Sequence, residues 1–448
     1  MDDEQPVDEP GVKQDILAEA TAVLGRNDDG AYTVPAPGLY PHQWLWDSCF
    51  IAIGLRHIDI DRAKTEILSL LRGQWHNGML PNLILAGGKK YRRDRDIWNS
   101  WSNAYSPDDV ATSGITQPPM IAEAVVKIGE KLKKVERRSW YRQVYPALLA
   151  HHQWLYTERD PHSEGLVLLI HPWESGLDNT PPWMHELHEH QLAVWITIVK
   201  KLKAGWLINM FRRDTKLIPA EERLDPIEAL AFYSTQRRLR RKGYDIDKIL
   251  SHSLFAIEDL TFNCIFIRAN QHLRDIADFL KEELPSELLE SMQKTEVALS
   301  QLWDPYSGQY YSRNFVTHTL LKEPTIAALV PLYAGTISKE RADQLVRLLE
   351  NQHMFGTAFP VPSVPKNSAW FSPHTYWQGP TWVNTNWLII DGLQRMGYND
   401  HAEALKESTI EMVRNGGCNE YFSPLDGSAA GAANFSWTAA LTIDLLKD

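Results

Sequence analysis

The chain is poor in cysteine. Cys49, Cys264 and Cys418 are scattered over 448 residues, too few and too widely spaced for a disulfide framework or a cysteine-based metal site. Their odd number favours reduced thiols and an intracellular protein. The acidic start lacks the apolar segment of a signal peptide, and no run reaches the ~18 uninterrupted apolar residues that a membrane span needs. We therefore predict a cytoplasmic protein that does not enter a membrane.

Positive charge is also in short supply. Asp and Glu number 57 against 46 Lys and Arg, which leaves a formal net charge of −11 and argues against nucleic acid as a partner. Two local basic runs, at 89–93 and 237–242, are interpreted as solvated faces or a small anionic site. The chain is instead rich in tryptophan, with 17 indoles, a content common among proteins that handle carbohydrates.

Length and hydrophobic content predict a large core. With 448 residues, 44% of them hydrophobic, the chain exceeds the roughly 250–300 residues at which a single core usually stops growing. It must therefore form two domains or an architecture that grows around a ring. Residues 1–11 are acidic and proline-rich and are predicted to be a disordered tail, which leaves residues 12–448 as one domain.

Apolar residues at helical spacing predict about twelve or thirteen helices. No strand-like alternation persists, and the short apolar run at 167–170 is the main exception. Twelve helices arranged as six hairpins would close into an all-α (α/α)6 barrel, with helix N-termini and their loops around one mouth. The predicted helices lie near 12–24, 47–55, 61–74, 117–132, 137–157, 226–242, 253–280, 286–303, 324–334, 338–352, 380–397, 400–414 and 435–446.

Residues 158–225 interrupt this helix-pair rhythm. They are predicted to be a loop-rich insertion with a possible role as a lid, and 192–210 within it has the pattern of an apolar helix. The insertion also contains His185, His188 and His190. Their spacings of three and five put at most two of them on one helix face, and no HExxH motif is present. We therefore predict neither a zinc site nor any cofactor.

The greatest concentration of chemically active side chains lies at 171–183. Glu174 and Asp178 stand there among two indoles and a glycine. Pro181 and Pro182 cannot extend a helix and favour extended geometry in the preceding residue, which predicts a loop. Indole faces and carboxylates together can bind a polyhydroxylated ring and move a proton. The alternative is a tryptophan-anchored loop whose acids cap helices.

Four further loops at predicted helix ends have the same composition. Each combines indole or tyrosine rings with polar side chains beside a glycine or a proline, and core packing alone does not readily explain five such loops. The four loops cover residues 40–50, 74–82, 376–384 and 416–427.

Five ordered segments carry a family resemblance. They are 40–47 (YPHQWLWD), 112–119 (TSGITQPP), 173–181 (WESGLDNTP), 376–382 (YWQGPTW) and 420–421 (EY). In this order they resemble glycoside hydrolase family 63, in particular its mannosylglycerate and glucosylglycerate hydrolases, which are relatives of trehalases and processing α-glucosidases. The resemblance spans about residues 35–445. It implies an (α/α)6 barrel and inverting hydrolysis of an α-glycosidic bond.

The resemblance implies Asp178 as the general acid and Glu420 as the general base. An inverting enzyme needs a protonated carboxyl at the glycosidic oxygen and a carboxylate that activates water on the opposite ring face, roughly 6.5–9.5 Å away. We expect burial against Trp173 and Trp183 to raise the pKa of Asp178, while Glu420 stays ionised. Glu174 is a competing acid, which we interpret as support for the loop.

The resemblance also implies a substrate pocket. Asp47 would bind ring hydroxyls, with a helix N-cap as a compatible alternative, and Gln117 could instead satisfy backbone groups. The substrate-binding residues that it implies are Tyr40, Trp44, Trp46, Asp47, Tyr91, Gln117, Trp173, Gly176, Arg223, Trp377 and Trp382.

The predicted aglycone is glycerate, which carries a carboxylate. A glycerate carboxylate needs a charge-assisted donor, and Arg223 suits a bidentate contact, with Tyr91 adding a hydroxyl from a neighbouring loop. The alternative is that Arg223 pairs on the surface with Asp225 or Glu222. Three departures from the family pattern surround the leaving-group side: Met184 in place of Asp, Ala229 in place of Tyr, and Phe435 in place of Gln.

These observations predict an inverting α-glycosidase that cleaves a small α-glucoside or α-mannoside, with glucosylglycerate and mannosylglycerate as the leading candidates. One alternative is a trehalase-like or α-glucosidase-like hydrolase of a neutral disaccharide. A second is a helical toroid that binds sugars without catalysis. A sugar epimerase on the same barrel would normally use histidines, rather than two carboxylates, as acid and base.

Overall fold

Helices dominate the structure. The computed structural model describes residues 10–190, 194–203, 205–209, 212, 214–251 and 255–448. The α-helices in these ranges are α1 (Pro10–Asn27), α2 (Leu45–Leu55), α3 (Ile60–Leu71), α4 (Arg92–Trp98), α5 (Ile121–Glu130), α6 (Lys134–Arg159), α7 (Pro181–His190), α8 (Val194–Lys201), α9 (Trp206–Asn209), α10 (Pro226–Arg241), α11 (Ile246–Leu250), α12 (Leu260–Leu280), α13 (Ser286–Ala298), α14 (Pro331–Ala334), α15 (Lys339–Glu350), α16 (Val383–Arg395), α17 (Asn399–Gly416) and α18 (Ser436–Lys447).

Six of these helices form a closed inner ring. α2 packs against α5, α5 against α12, α12 against α14, α14 against α16, α16 against α18, and α18 returns to α2. Outer helices lie against this ring: α1 contacts α18, α3 contacts α2 and α5, α6 contacts α5 and α12, α13 contacts α12, and α17 contacts α16 and α18. The helix pairs therefore close into the (α/α)6 barrel that the sequence predicted.

The sequence explains which helices lie inside. Every residue of α2 is buried, as expected for a helix surrounded by others. The outer helix α3 instead buries Ala63, Glu66, Ile67 and Leu70 along one face, at the spacing of an amphipathic helix. α2 and α18 approach so closely that a Cβ on Gly54 would lie 2.3 Å from a backbone oxygen of α18. Glycine at this position therefore permits the contact that closes the ring.

Strands occur in the described residues only as four short antiparallel pairs. The pair β7–β8 carries Glu420 and contains an irregularity in register between Asn419 and Tyr421. Thr381 bridges to Phe422 in β7, so the 376–382 segment is tied to the strand that carries Glu420. The strands are β1 (Gln43–Trp44), β2 (Leu83–Ile84), β3 (Ile257–Glu258), β4 (Trp303–Asp304), β5 (Gln309–Tyr310), β6 (Arg313–Asn314), β7 (Asn419–Phe422) and β8 (Ala429–Ala433).

Several local predictions were wrong. The apolar run 167–170 forms only a single bridge, between Leu169 and Ile257. Pro181 is the first residue of α7, because proline suits the first turn, where its missing N–H would have no helical partner. The 416–427 segment is not a plain loop, since it contains β7.

The predicted helix at 192–210 is not continuous. α8 ends at Lys201 and α9 begins at Trp206, while residues 191–193, 204 and 210 lie outside the described residues. The predicted tail overlaps α1, which begins at Pro10, and residues 1–9 lie outside the described residues. The assignment of 158–225 as an insertion with a lid stays a prediction. Among the helices that are described, none is long and apolar enough to cross a membrane.

Candidate active site

A cavity lies where the N-terminal ends of three inner helices converge. Asp47 lies in the first turn of α2, Trp377 precedes α16, and Phe435 is the residue before α18. The empty volume of the cavity, including the part open to solvent, is about 350 Å³. Nine of the thirteen predicted site residues line it. The lining residues are Pro35, Tyr40, Trp44, Trp46, Asp47, Gln117, Gly176, Asp178, Tyr376, Trp377, Glu420, Phe435 and Trp437.

The loop that carries Asp178 is anchored by buried Glu174. Glu174 Oε2 accepts a hydrogen bond from the backbone N–H of Ile170 (2.7 Å), and Oε1 accepts from the backbone N–H of Thr116 (3.1 Å). Arg159 Nη2 also donates to Oε1, at 2.8 Å. Glu174 is absent from the cavity wall. With both oxygens engaged, it orders the loop, which agrees with its interpretation as support.

Gly176 allows the acid loop to pass directly against Trp46. Its φ is +73°, and a Cβ at this position would lie 2.5 Å from the Trp46 ring. A positive φ is readily adopted by glycine alone. Further along the loop, Trp183 Nε1 donates to the backbone carbonyl of Asp178, at 2.8 Å. Trp183 therefore fixes the backbone at Asp178, and its packing against the carboxyl stays a prediction.

The Asp178 carboxyl faces competing influences. Burial raises the pKa of Asp178 to about 7. Two groups lower this pKa: the Tyr376 hydroxyl, which donates to Oδ2 at 3.1 Å, and the Arg223 guanidinium. The charge of Glu420 raises it. The burial effect exceeds the others. A carboxyl with a pKa near neutrality can hold a proton at neutral pH and release it during a reaction.

Glu420 lies among hydrogen-bond donors. Its Oε1 accepts from the Tyr40 hydroxyl at 2.8 Å, and its Oε2 accepts from the backbone N–H of Ala432 at 3.0 Å. Arg223 Nη1 lies 3.1 Å from both oxygens. An ionised carboxylate only accepts hydrogen bonds, and donors from a guanidinium give the strongest ones. These donors stabilise negative charge on the Glu420 carboxylate.

Arg223 is buried beside Glu420 and is not paired on the surface. Its Nη2 donates to the Tyr40 hydroxyl, so one guanidinium contacts two residues of the cavity wall. The partners proposed from sequence are engaged elsewhere: Asp225 caps α10, and Glu222 accepts from a backbone N–H of β8. The surface pairing of Arg223 with Asp225 or Glu222 was therefore wrong, because the chain folds Arg223 inward.

Asp47 is a third carboxyl in the same cavity. It is 5% exposed, and burial raises its pKa well above the usual range, with the charges of Glu420 and Asp178 acting in the same direction. The N-cap of α2 is Trp44, which makes no side-chain cap, so the N-cap alternative for Asp47 was wrong. Its position in the first helical turn leaves its carboxyl on the cavity wall.

Indoles form much of the wall. The Trp46 ring lies 6.4 Å from Trp377 and 5.5 Å from Trp437, measured between centroids. Two buried indole N–H groups, those of Trp44 and Trp437, have no hydrogen-bond partner among the described residues. Gln117 Oε1 makes only a long contact, 3.5 Å, with a backbone N–H. The wall therefore offers donors and an acceptor to a bound molecule.

Four predicted site residues lie off the cavity wall; Arg223 is one of them, as described above. Trp382 stacks on Trp377, with centroids 3.7 Å apart and planes 4° from parallel, so it supports the wall from behind. Trp173 packs against both the main core and a smaller apolar cluster, with its ring 6.0 Å from that of Trp98. Tyr91 lines a different cavity, of about 1080 Å³. A motif identifies a loop rich in rings but does not say towards which side each ring points.

Four wall residues were not among the predicted site residues: Pro35, Tyr376, Phe435 and Trp437. Tyr376 opens the 376–382 segment and has a φ of +34°, unusual for a residue with a side chain. Trp437 lies in the first turn of α18, close behind the wall position at Phe435. Position was the available signal for Trp437, since the N-terminal end of α18 reaches the cavity, and Tyr376 lies in a segment that the sequence had already singled out.

Possible metal ligands occur in two parts of the chain. The side chains of His185, His188 and His190 lie outside the described residues. In the part of the chain whose side chains are described, one group of three potential metal ligands is close enough to share an ion: His57, Asp444 and Asp448. Arg56 Nη2 lies 2.9 Å from Asp444 and also contacts Asp448, so these carboxylates already have a cationic partner.

Comparison with known proteins identifies the family. The profile of the Mannosylglycerate hydrolase MGH1-like glycoside hydrolase domain matches residues 40–438. The chain belongs to this family. The mannosylglycerate hydrolase of Thermus thermophilus is 39% identical over 430 residues, which are 95% of this chain and 99% of that protein. The glucosylglycerate hydrolase of Mycolicibacterium hassiacum is 30% identical over 447 residues, 96% of this chain and 97% of that protein.

Solved structures of the family agree in fold. A glycoside hydrolase family 63 mannosylglycerate hydrolase from Thermus thermophilus, in complex with Tris and D-glycerate, superposes with a TM-score of 0.85 at 37% identity, covering 96% of this chain and 99% of that one. Neutral trehalase from Saccharomyces cerevisiae, at 17% identity and a TM-score of 0.57, covers 93% of this chain and 73% of that one and shares the fold.

Membership of this family makes the chain a glycoside hydrolase. The predicted family, barrel and enzyme class are confirmed, and the non-catalytic toroid is set aside.

Proposed function

We propose that this enzyme hydrolyses an α-glycosidic bond with inversion, with Asp178 as general acid and Glu420 as general base. One observation carries the proposal: a single indole-lined cavity holds two carboxyls in contrasting surroundings. Asp178 has a pKa of about 7 because it is buried, whereas Glu420 accepts hydrogen bonds from a guanidinium, a phenol and a backbone N–H. Such separation of environments divides two carboxyls into an acid and a base.

In this mechanism Asp178 gives its proton to the glycosidic oxygen as the bond to the aglycone breaks. Glu420 removes a proton from water, and that water attacks the anomeric carbon from the opposite ring face. The oxocarbenium-like transition state carries positive charge, which the carboxylates around it stabilise. After the products leave, Asp178 takes up a proton from solvent, and Glu420 releases to solvent the proton that it took from water.

We propose that the reacting sugar sits among Trp44, Asp47, Gln117, Trp377 and Trp437. Asp47 would accept hydrogen bonds from ring hydroxyls, and the two unpartnered indole N–H groups would donate to others. The ring faces of the indoles would cover the C–H side of the sugar. Buried polar groups that gain partners only when the sugar binds give affinity and selectivity, because leaving them unpaired is costly.

For the aglycone we propose glycerate. Relatives named mannosylglycerate and glucosylglycerate hydrolases cover nearly the whole chain, and Arg223 offers a donor for a carboxylate. Arg223 Nε is buried without a hydrogen bond, its nearest described anionic partner being Asp214 at 3.7 Å. A substrate carboxylate that engages this guanidinium would draw it from Glu420. The anionic aglycone would thereby release Glu420 to accept a proton from water.

A panel of glycosyl-glycerates and neutral α-linked disaccharides tests the reaction, with the configuration of the released sugar followed by NMR. Asp178→Ala and Glu420→Ala are each expected to lower turnover by about 10²–10⁴-fold, the usual range for a lost acid or base. Asp108→Ala, at a side chain that is 88% exposed, is the matched control. Near-normal turnover in either cavity variant, or retention of configuration, would refute the assignment.

Arg223→Ala tests the aglycone. We expect KM for a glycosyl-glycerate to rise far more than KM for a neutral α-glucoside, because the lost interaction exists only with the charged substrate. Arg92→Ala, at a side chain that is 80% exposed, controls for loss of a positive charge. An equal rise in KM for both substrates would mean that Arg223 interacts with Glu420 and does not bind the aglycone.

A neutral disaccharide is the second candidate. Phe435 lines the cavity 5.9 Å from the Tyr40 ring, so an apolar ring stands where an amide could have bound a hydroxyl or a carboxylate of glycerate. Turnover of neutral substrates only would favour this candidate and leave the acid and base unchanged. We further propose a cytoplasmic location, which is supported by three buried, unpaired cysteines.

A further inference from the structure

A second cavity shares no lining residue with the catalytic one. Its empty volume, including the part open to solvent, is about 720 Å³, and several segments line it, among them the 74–82 loop, which contributes Trp75. That loop shares the composition of the sugar-handling loops but contributes nothing to the catalytic cavity. Its indole and polar side chains therefore need another explanation.

The wall of this second cavity contains an incompletely satisfied cation. Arg159 is 3% exposed and lines the cavity. Its Nη2 donates to Glu174, but its Nη1 is buried without a hydrogen-bond partner among the described residues. A buried donor that lacks a partner is costly, and native structures retain few of them. An oxygen atom of a molecule in the cavity would satisfy it.

Carboxylates share the wall with this donor. Glu158 is half-buried and lines the cavity without a hydrogen bond or ion pair to any described residue. Burial raises the pKa of Glu158, the nearby charge of Arg159 lowers it, and the charge of Asp247, which is exposed, raises it. Tyr105 adds a ring that is 52% exposed. The Trp154 ring lies 5.1 Å from Arg159 Cζ. The wall thus combines an unpaired donor, unpaired acceptors and flat rings.

This combination selects a class of ligand. A simple anion would meet the carboxylates, and a simple cation would meet the guanidinium. Hydroxyl groups both donate and accept, so a neutral molecule with several of them can satisfy both kinds of group while its C–H face packs on a ring. We propose that this cavity is a second binding site, outside the catalytic cavity, for a neutral polyhydroxylated compound, a free sugar or polyol.

The site is connected to the acid loop. The guanidinium of Arg159 that offers Nη1 to the ligand holds Glu174 with Nη2, and Glu174 in turn orders the segment that ends at Asp178. A ligand at this site therefore contacts a group that also stabilises the catalytic loop. The site is nevertheless separable from catalysis, because Glu158 and Tyr105 lie outside the catalytic cavity wall.

Ligand-observed NMR with glucose, mannose and glycerol tests the proposal on the full chain. The starting protein is Asp47→Asn, in which sugar binding at the catalytic cavity is weakened. We expect saturable binding of at least one of these probes to persist, and to weaken at least ten-fold when Glu158→Gln or Tyr105→Ala is added. Glu158→Gln in the otherwise native enzyme should keep its kcat/KM within about two-fold, which also reports an intact fold.

Three results would overturn the proposal. The first is loss of all saturable binding in Asp47→Asn. The second is residual binding that neither Glu158→Gln nor Tyr105→Ala weakens, since that binding would belong elsewhere. The third is a large loss of turnover in Glu158→Gln, which would make Glu158 a support for the acid loop. None of these results bears on whether Asp178 and Glu420 perform the hydrolysis.

Discussion

Removing the Tyr376 hydroxyl should move the pH dependence of hydrolysis in a direction that the structure specifies. Tyr376 donates to Asp178 Oδ2 at 3.1 Å and lowers the pKa of that carboxyl, which burial holds at about 7. Tyr376→Phe removes the donor while keeping the ring, which lies 4.3 Å from Arg223 Cζ. The pKa of Asp178 should therefore rise.

The size of this rise follows from the hydrogen bond. A hydrogen bond to a charged group contributes about 1.5–3 kcal/mol, and one pKa unit corresponds to about 1.4 kcal/mol. The protonated carboxyl can also accept from the hydroxyl, so only part of this energy distinguishes the two protonation states. We expect the pKa of Asp178 to rise by about one unit. A general acid works only while protonated, so activity that falls above about pH 7 should in the variant fall about one pH unit higher.

The assay is kcat/KM measured across pH 4 to 10 for Tyr376→Phe and for the native enzyme. Tyr306→Phe, at a residue that is 96% exposed and lines neither the catalytic nor the second cavity, should leave the profile unchanged. An alkaline limb that stays in place or moves to lower pH in Tyr376→Phe would refute the assignment of that limb to Asp178. A lower maximum rate with an unmoved limb would make Tyr376 a positioning residue alone.

Three further changes have defined outcomes. Gly176→Ala places a Cβ 2.5 Å from the Trp46 ring at a φ of +73°, so Tm and activity should both fall, by about 1–3 kcal/mol in stability; an unchanged Tm would contradict this geometry. Trp382→Leu removes the ring stacked on Trp377 and should raise KM more than it lowers kcat, whereas unchanged kinetics would exclude the support role. Asp178→Asn tests the effect of the raised pKa on stability. The pKa of Asp178 is about 7 in the folded state, against a usual value of 3.8. The native enzyme therefore loses stability, on the order of a few kcal/mol, as pH rises between these two values. The variant should therefore exceed the native enzyme in Tm by more at pH 8 than at pH 5, and an equal gap at both would count against the raised pKa.

The helices were predictable because their signal is local and repeated. Apolar residues in α3, α12 and α17 recur at helical spacing, and each predicted range overlaps the observed helix. Errors fell where a single residue decides the boundary. The predicted helix at 253–280 begins only at Leu260, because Asp259 caps it by accepting from the backbone N–H of Phe262 at 2.8 Å.

The sequence predicted where the loops of the site lie along the chain, but not which of their side chains face the cavity. The segment at 376–382 brings Trp377 to the cavity wall and Trp382 behind it, a distinction that residue type does not contain. Arg223 is the clearest case. Its contact with Glu420 joins residues 197 positions apart, so no local pattern could reveal it. The nearby carboxylates of Glu222 and Asp225 offered a surface ion pair as an equally plausible alternative.

Ring closure also bears on how the enzyme is made. α2, which carries Asp47, packs against α18, and Glu420 and Trp437 are encoded close to the end of the chain. While the chain emerges from the ribosome, the buried flank of α2 has no α18 to cover it. Partly synthesised chains therefore expose apolar surface that chaperones and proteases recognise, and a chain cut before residue 436 would lose both the seam of the ring and one wall of the cavity. Closure of the ring therefore completes the core and the cavity in the same step.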